Sequence, residues 1–410
     1  MGKYWKVIII PLITMIVFIT YYIHVQSNPV ASAQFFLAKQ SGDDKEVEHI
    51  NLDTDINYTN GQERVTITNK GSIVYSHLSI YEHLKHISKN SQINRLRKKY
   101  GSFIRGKADV GRFFEKDDLL VHIDDSLNPF TDNGEKHNIT VSMYDLKTKE
   151  KDSFEVKLPH VDKYSWLFLV TASLNDNKLK IITSNEYEEP KSHITLTDYV
   201  VYTIDIDTKK VIDAEKIFEY TNEDISENQY STLDFHTDKK DGFSDFIMIE
   251  ERSYKDITVE SEEEGEYNQQ TQSTVALKKY DIKANKLSDI TIPKELEGYT
   301  FEHVNGDVLY FVKQAEQSIH VVGYDHSKKK ITSKQTFDSF VDEYGDYRAN
   351  TIFYNNKLYV TNLIDESKSI ELIIVDIVTG ETIYKGKVEQ KGKAPVKDYV
   401  FQNAFLNINQ

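Results

Sequence analysis

The sequence predicts an all-β protein built from serial four-stranded antiparallel sheets behind a single apolar helix. Three observations carry this. Five segments repeat one pattern around an aspartate, the strand-forming aromatics Tyr (26) and Phe (20) are spread through all 410 residues, and the N-terminal stretch differs in composition from everything after it.

The chain opens with "MGKYWKVIIIPLITMIVFITYYIHVQSNPVASAQ". Lys3 and Lys6 precede an uncharged run from Val7 to Val25. At about 1.5 Å per helical residue this run reaches roughly 28 Å, the thickness of a bilayer core. Pro11 falls near the helix start, where it is tolerated best. No Lys or Arg lies between Lys6 and Lys39, so the positive-inside bias predicts a cytoplasmic stub at 1–6, a transmembrane helix at 7–25 and an extracytoplasmic remainder. Tyr21 and Tyr22 fit the outer aromatic belt. The other reading is a signal peptide cleaved after Ala33, since Ala31, Ser32 and Ala33 form a small-residue site. The first gives a single-pass cell-membrane protein with a signal anchor, the second a secreted one, and the length of the run favours the anchor.

Residues 26–60 read as a linker. Within it "DTDINYTNG" begins like a calcium loop with Asp53, Asp55 and Asn57. Tyr58 stands where that loop needs Gly and Arg64 where it needs Glu, so turn chemistry ahead of a hairpin is the better account. The hairpin is "RVTITNKGSIVY", 64–75, and it opens a β body expected over 61–410. A short helical insertion is expected near 78–100, where Ile80, Leu84 and Ile87 have helical spacing and "SQINRLRKKYG" supplies Ser91 as cap and Gly101 as stop. His83 and His86 sit beside Glu82 without a third ligand in sight, so they read as surface histidines and not as a metal pair. Arg95, Arg97, Lys98, Lys99, Arg105, Lys107 and Arg112 form the one basic cluster. It reads as dipole compensation on a solvated face, with contact to anionic lipid or wall polymer as the alternative.

The repeat follows. Aligned on the aspartate, the segments are "TVSMYDLKTKEK" (Asp145), "VVYTIDIDTKKV" (Asp205), "ALKKYDIKANKL" (Asp281), "HVVGYDHSKKKI" (Asp325) and "ELIIVDIVTGET" (Asp376). The residues flanking each Asp are apolar in every case except His326. Apolar positions two apart share a strand face, so that face is buried while the Asp turns outward to cap turn amides. The fourth residue after each Asp is Lys149, Lys209, Asn285, Lys329 or Gly380, and Asn and Gly suit a left-handed turn position better than Lys does. Upstream of each lies another strand with its own turn, "KDDLLVHID", "NDNKLKIIT", "FSDFIMIE", "NGDVLYFV" and "YNNKLYVT". Each unit is therefore a four-stranded meander. The Asp-to-Asp intervals of 60, 76, 44 and 51 residues lie near a propeller blade period.

The segment "NNKLYVTNLIDESKSIELIIVDIVTGETIYKGKVE" resembles blades of secreted and membrane-anchored bacterial β-propellers, whose hairpins share this form. The resemblance spans roughly 115–400 and implies a fold, not an activity, because such propellers include binding modules, scaffolds and enzymes. Five units are plain. A sixth blade arises if 64–75 pairs with the closing strand "DYVFQNAFLNINQ", and five or seven blades remain the alternatives. A β-sandwich would not need the repeated spacing.

For function the sequence mainly excludes. A net charge of −15 argues against nucleic acid, and the absence of Cys removes disulfides, thiolate metal sites and thiol nucleophiles. No phosphate-loop, dinucleotide, nucleophile-elbow or zincin motif occurs. Quinone-cofactor propellers place tryptophans in every blade, and Trp5 and Trp166 are the whole complement here. No catalytic residue, cofactor or metal site is therefore assigned, and "SEEEGEY" at 261–267 reads as a solvated acidic loop. In such meanders the tight turns lie on one rim and the long connections, 124–137, 184–194, 219–230, 252–272 and 337–347, on the other. That second rim is the expected binding surface. Its acids and tyrosines, Glu186, Tyr187, Glu188, Tyr220, Glu223, Asp224, Asp342, Glu343, Tyr344, Asp346 and Tyr347, suit a cationic peptide, a polyhydroxylated polymer or divalent ions. The expected function is a tethered binding or scaffold module for a peptide, polymer or partner protein. The alternatives are a cell-surface glycan hydrolase with carboxylates at the channel mouth and a sensor acting through a membrane partner.

Overall fold

The structure, a computed structural model, describes residues 5–26, 34–59, 61–79, 82, 91–107, 110–124, 138–189, 194–221, 229–237, 242–260, 267–315, 317–338, 349–364, 366–391 and 398–408. Helix α1 (Trp5–Gln26) is followed by strands β1 (Gln34–Gly42), β2 (Ile50–Tyr58), β3 (Gly61–Ile67) and β4 (Ser72–Val74), and then by helix α2 (Ser91–Ile104). Strands β5 (Phe113–Lys116), β6 (Leu119–Asp124), β7 (Asn138–Asp145) and β8 (Lys151–Lys157) form one four-stranded sheet in that order. Strands β9 (Trp166–Asn175), β10 (Lys178–Glu188), β11 (Thr195–Asp205) and β12 (Lys210–Thr221) form the next. The third holds β13 (Gln229–Thr237), β14 (Phe246–Glu260), β15 (Tyr267–Asp281) and β16 (Lys286–Ile290). The fourth holds β17 (Thr300–Asn305), β18 (Val308–Ala315), β19 (Ser318–Asp325) and β20 (Lys330–Asp338). The last strands are β21 (Ala349–Tyr354), β22 (Lys357–Ile364), β23 (Ser369–Asp376), β24 (Thr382–Lys391) and β25 (Tyr399–Ile408).

The N-terminal strands do not follow the simple series. β1 adds to the outside of β24, giving the order β1-β24-β23-β22-β21, and β25 pairs with β2 in the sheet β25-β2-β3-β4. The expected pairing of the 64–75 hairpin with the closing strand is thus realised through an intervening strand. That strand, β2, and β1 both lie in the stretch read as a linker. The reason is visible in "INLDTDINY", where Ile50, Leu52, Thr54 and Ile56 alternate inward in strict period two. Asp53 and Asp55 point the other way, and Asp53 accepts bonds from Thr66 Oγ1 and, at 2.5 Å, from Asn407 Nδ2. These acids serve cross-strand pairing.

The expected turns are present in detail. Lys149 (φ 62°), Lys209 (56°), Asn285 (51°), Lys329 (52°) and Gly380 (77°) all adopt the left-handed conformation, the lysines included. Each repeat Asp pays back the strain by capping. Asp145 Oδ1 accepts from the amides of Lys147 and Thr148, and Asp376 Oδ1 from those of Val378 and Thr379. Asp205, Asp281 and Asp325 accept from Thr208, Ala284 and Lys328. A second regularity ties the two turns of each sheet together. The amide following the Asp donates to a carbonyl of the upstream turn in all five sheets: Leu146 to Asp118, Ile206 to Asn177, Ile282 to Asp245, His326 to Asp307 and Ile377 to Asn356, at 2.7–3.0 Å.

The chain divides into two compact units, one of Met1–Lys99, Lys313–Val321 and Ser333–Gln410, the other of Tyr100–Val312 and Val322–Thr332. The first has a core around Phe35, Leu52, Ile67, Leu372, Tyr384 and Phe401. The second packs Val141, Ile181 and Tyr202, and separately Met248, Phe301 and Phe311.

The helices depart from expectation in two ways. α2 does not stop at Gly101 but continues to Ile104, with non-helical geometry at Tyr100 (φ −133°, ψ 36°). Burial of Phe103, stacked on Tyr144 at 5.3 Å, and of Ile104 outweighs the glycine. α1 contains the expected span 7–25. Its described side chains, Ile9 and Pro11 to Thr20, are exposed. Among the described residues no helix is long and apolar enough to cross a membrane. The remaining sequence expectations at His83, His86 and 261–266 lie outside the described residues.

Candidate functional site

Of the eleven residues expected on the binding rim, Glu223, Asp224, Asp342, Glu343, Tyr344, Asp346 and Tyr347 lie outside the described residues. The other four are described, and they are strand residues, not loop residues. Glu186, Tyr187 and Glu188 end β10, paired with Thr197, Leu196 and Thr195 of β11, while Tyr220 is in β12 opposite Thr197. The same extension occurs in β14 and β15, whose ladder runs out to Glu260 and Tyr267 and absorbs most of the expected loop 252–272. The strand-forming residue types of this stretch, Tyr254 among them, favour extended backbone despite the charges in the sequence.

The four residues converge at the end of the β9–β12 sheet away from the aspartate turns. Tyr220 is committed to structure, since its hydroxyl donates to the Ser231 carbonyl at 2.7 Å. Beneath Tyr187, on the sheet face away from Glu186, lies a buried frame. Asp198 is 1% exposed, and its Oδ2 accepts from Lys163 Nζ at 2.6 Å and from the Tyr164 hydroxyl at 2.8 Å, while Lys216 Nζ faces Oδ1 at 3.4 Å. Burial raises the Asp198 carboxyl, but the Lys163 and Tyr164 hydrogen bonds and the two lysine charges outweigh it and hold the group below the usual carboxylate range. Burial, then Asp198, push the Tyr164 phenol well up, and burial pushes Tyr202 up to about 12, so both stay protonated, Tyr164 donating to Asp198 and Tyr202 accepting from Asn185 Nδ2 at 3.3 Å.

Lys163 is more than an ion-pair partner. Its Nζ lies 4.3 Å from the Tyr187 ring centroid and 4.7 Å from that of Tyr164, and the two rings meet edge to face at 5.8 Å. An ammonium group is thus held by two aromatic rings and one carboxylate. On the opposite face of the same sheet, Trp166 and Phe168 of β9 stand parallel, 4° between planes and 5.9 Å between centroids. They are 36% and 47% exposed, unusual for such large apolar rings. Trp166 pairs with Glu186 across the β9–β10 ladder, and Ser165 fixes the approach by donating N–H and Oγ–H to the Glu186 carbonyl at 2.8 and 3.0 Å. Chemically, the strand end offers ring faces and carboxylates to a cation or an extended chain bearing cations.

The frame was missed in the sequence, although signals existed. "YSWLF" concentrates three aromatics in five residues, and Asp198 interrupts an otherwise uncharged strand, "TLTDYVVYTI". A second buried acid, Glu250 in "FIMIEER", carries the same signature. It is 0% exposed, accepts a two-pronged contact from Arg252 (Nε 2.8 Å, Nη2 3.1 Å) and meets His236 Nε2 at 3.1 Å. Among the described residues no group of three His, Asp or Glu side chains is arranged to hold a metal ion.

No protein-family model matches the chain, and no curated protein sequence matches it. Similar solved structures include a luciferin-regenerating enzyme, 12% identical over 72% of this chain and 97% of that one, with a TM-score of 0.24. The β-propeller domain of the Trilobed protease from Pyrococcus furiosus is 12% identical over 67% of this chain and 83% of that one, TM-score 0.23. A PL25 ulvan lyase is 11% identical over 69% and 84%, TM-score 0.23. At these TM-scores the likeness carries no argument about this chain, and the activities of those proteins remain their own.

Proposed function

We propose that this chain is a membrane-tethered, extracytoplasmic binding module of propeller type that holds an extended cationic ligand, a lysine-bearing peptide segment, at the strand end built from Trp166, Phe168 and Glu186, which share one sheet face. The observation that carries the reading is Lys163. Its ammonium, held by Tyr164, Tyr187 and Asp198, is an internal example of the recognition, and on the opposite face of the same sheet the exposed Trp166 and Phe168 rings with Glu186 offer the same chemistry to an external cation. Strand pairing of β9 with β10 keeps those three residues in place without a ligand, which lowers the entropic cost of binding.

Serial antiparallel sheets of four or five strands, five of them carrying the aspartate turn, and a sheet that joins β25 to β2 support the propeller reading. Lys3 and Lys6 before the apolar run, and the lack of Lys or Arg from there to Lys39, support the tether and an extracytoplasmic body. The glycan-hydrolase alternative needs an available carboxyl pair. Asp198 is already taken up by Lys163, Tyr164 and Lys216, which favours binding.

The test is titration of the protein with an oligolysine peptide, read by calorimetry at low and at physiological salt. Trp166→Ala with Phe168→Ala is expected to weaken binding about tenfold, the loss of roughly two exposed cation–π contacts. Equal affinity of the double variant and the parent, at unchanged melting temperature, overturns the reading.

A further inference from the structure

The fold shows, within itself, what the outer edge of a fourth strand accepts. β1 lies antiparallel along β24, from Gln34 opposite Lys391 to Gly42 opposite Tyr384, and buries Phe35 and Leu37. β8 holds the same place in its own sheet, fourth after β5, β6 and β7, and among the described residues no strand covers its other edge. Its seven residues pair with β7 without a register shift, from Asn138 opposite Lys157 to Tyr144 opposite Lys151. The pairing of β12 with β11, by contrast, shifts twice, and β16 is five residues long. Bulges and brevity protect an edge from further pairing, and β8 has neither. Every second residue of such a strand turns its N–H and C=O away from the strand it is paired with.

A groove of about 450 Å³ opens beside this edge, lined by 155–159 of β8 and its exit and by 209–211 at the start of β12. That volume lies within the range of ligand clefts, roughly 300–1,000 Å³. Buried Val156 and Leu158 give the groove an apolar floor. Lysines set the sign of its rim. Lys209 bonds Asp152 at 2.9 Å, whereas Lys157 and Lys210 are exposed and form no ion pair among the described residues. Over 149–157 and 209–210 five lysines stand against Glu150, Asp152 and Glu155, in a chain whose net charge is −15.

We infer that the open edge of β8 is a docking site for an extended segment of a partner protein, alternately apolar and acidic, which joins the sheet as a fifth strand just as β1 does at β24. Main-chain N–H···O=C bonds supply the pairing, an apolar side chain enters the groove over Val156 and Leu158, and carboxylates meet Lys157 and Lys210. A second copy of this chain fits the edge poorly. β8 laid antiparallel on itself in the centred register sets Lys151 opposite Lys157 at both ends, and like charges directly opposed destabilise a strand pair. The basic rim also disfavours the lysine-bearing segment proposed for Trp166 and Phe168, so the two sites take different partners.

The probe is a synthetic heptapeptide alternating valine and glutamate, the length of β8, titrated into the whole protein and read by calorimetry and by amide hydrogen exchange. Binding is expected, weaker in high salt, and with it slower exchange at alternate amides over 151–157, which contact by charge alone would leave unchanged. Lys157→Glu with Lys210→Glu is expected to bind about tenfold more weakly at unchanged melting temperature, since two exposed attractions become repulsions. The Trp166→Ala, Phe168→Ala variant keeps this binding, so failure at the aromatic strand end and failure here are distinguishable. Absence of peptide binding, exchange along β8 that the peptide does not slow, equal affinity in the lysine variant, or a dimer of the free protein that protects those same amides overturns the inference.

Discussion

At the residue scale, acids set both the turns and the pH behaviour. Asp325 receives its own turn through Lys328 N, Ser327 Oγ and Lys328 Nζ at 2.7–2.9 Å, and these bonds hold its carboxyl far below the usual range. Asp145, Asp205 and Asp376 are lowered in the same sense, chiefly by the amides of Thr148, Thr208 and Thr379. A depressed carboxyl stabilises the fold in full above its unfolded value, near 4, and loses that contribution as pH falls through the folded value. His303, depressed to about 4, acts earlier: the unfolded chain takes its proton near 6.5 while the folded one refuses it. The melting temperature is thus expected to fall in two stages, between about 6.5 and 4 and again below 4. His303→Gln should reduce the first stage, which the likewise depressed His326 shares, by on the order of 2–3 kcal/mol, and Asp325→Asn should reduce the second, which Asp145, Asp205 and Asp376 share. Thermal melts across pH decide this, and a single stage unchanged by His303→Gln contradicts it. Glu250 makes a further residue-level prediction. With no solvent contact it depends on Arg252, so Arg252→Met should cost about 3 kcal/mol or more in urea denaturation, because an uncompensated buried charge remains.

At the element scale, the strands that close the sheets matter most. β1 ends at Gly42, whose φ of +90° and whose position, 2.1 Å from the Ile383 carbonyl oxygen to any added Cβ, admit glycine alone. Gly42→Ala is expected to destabilise the β1–β24 pairing by roughly 1–3 kcal/mol, seen as a lower urea midpoint. β25 covers the outer edge of β2 over Ile50–Tyr58. Removing residues 399–408 bares that edge and also withdraws Phe401, fully buried beside Phe35 at 5.5 Å. The shortened chain is expected to associate, eluting as higher oligomers in size exclusion, because an open apolar strand edge templates pairing. A monomer of native melting temperature would count against this role. The repeat units and their turns were legible at this scale because everything that makes them is local: alternation, an aspartate, and a left-handed residue four positions on. Even Lys149, Lys209 and Lys329 take that conformation, since the aspartate cap compensates their intrinsic preference.

At the scale of the whole molecule, the leader and the acidic body make one joint prediction. The full chain is expected in the membrane fraction and resistant to high-salt wash, whereas a chain lacking residues 1–33 is expected in the soluble fraction, which fractionation reads directly. Sequence alone determined the all-β class, the five aspartate units and the separateness of the first residues, because these rest on near-neighbour periodicity and composition. It did not determine that β1 and β2 leave the linker to join β24 and β25, since pairing across more than 340 residues depends on which strand edges the finished sheets leave open. Nor did it place Glu186 and Tyr187 on a strand, or bring Lys163, Tyr164 and Asp198 beneath Tyr187 and Arg252 to Glu250. Those meetings were decided by tertiary structure: a buried carboxylate survives only where folding delivers its cations and donors from other segments, and no local pattern encodes who they are.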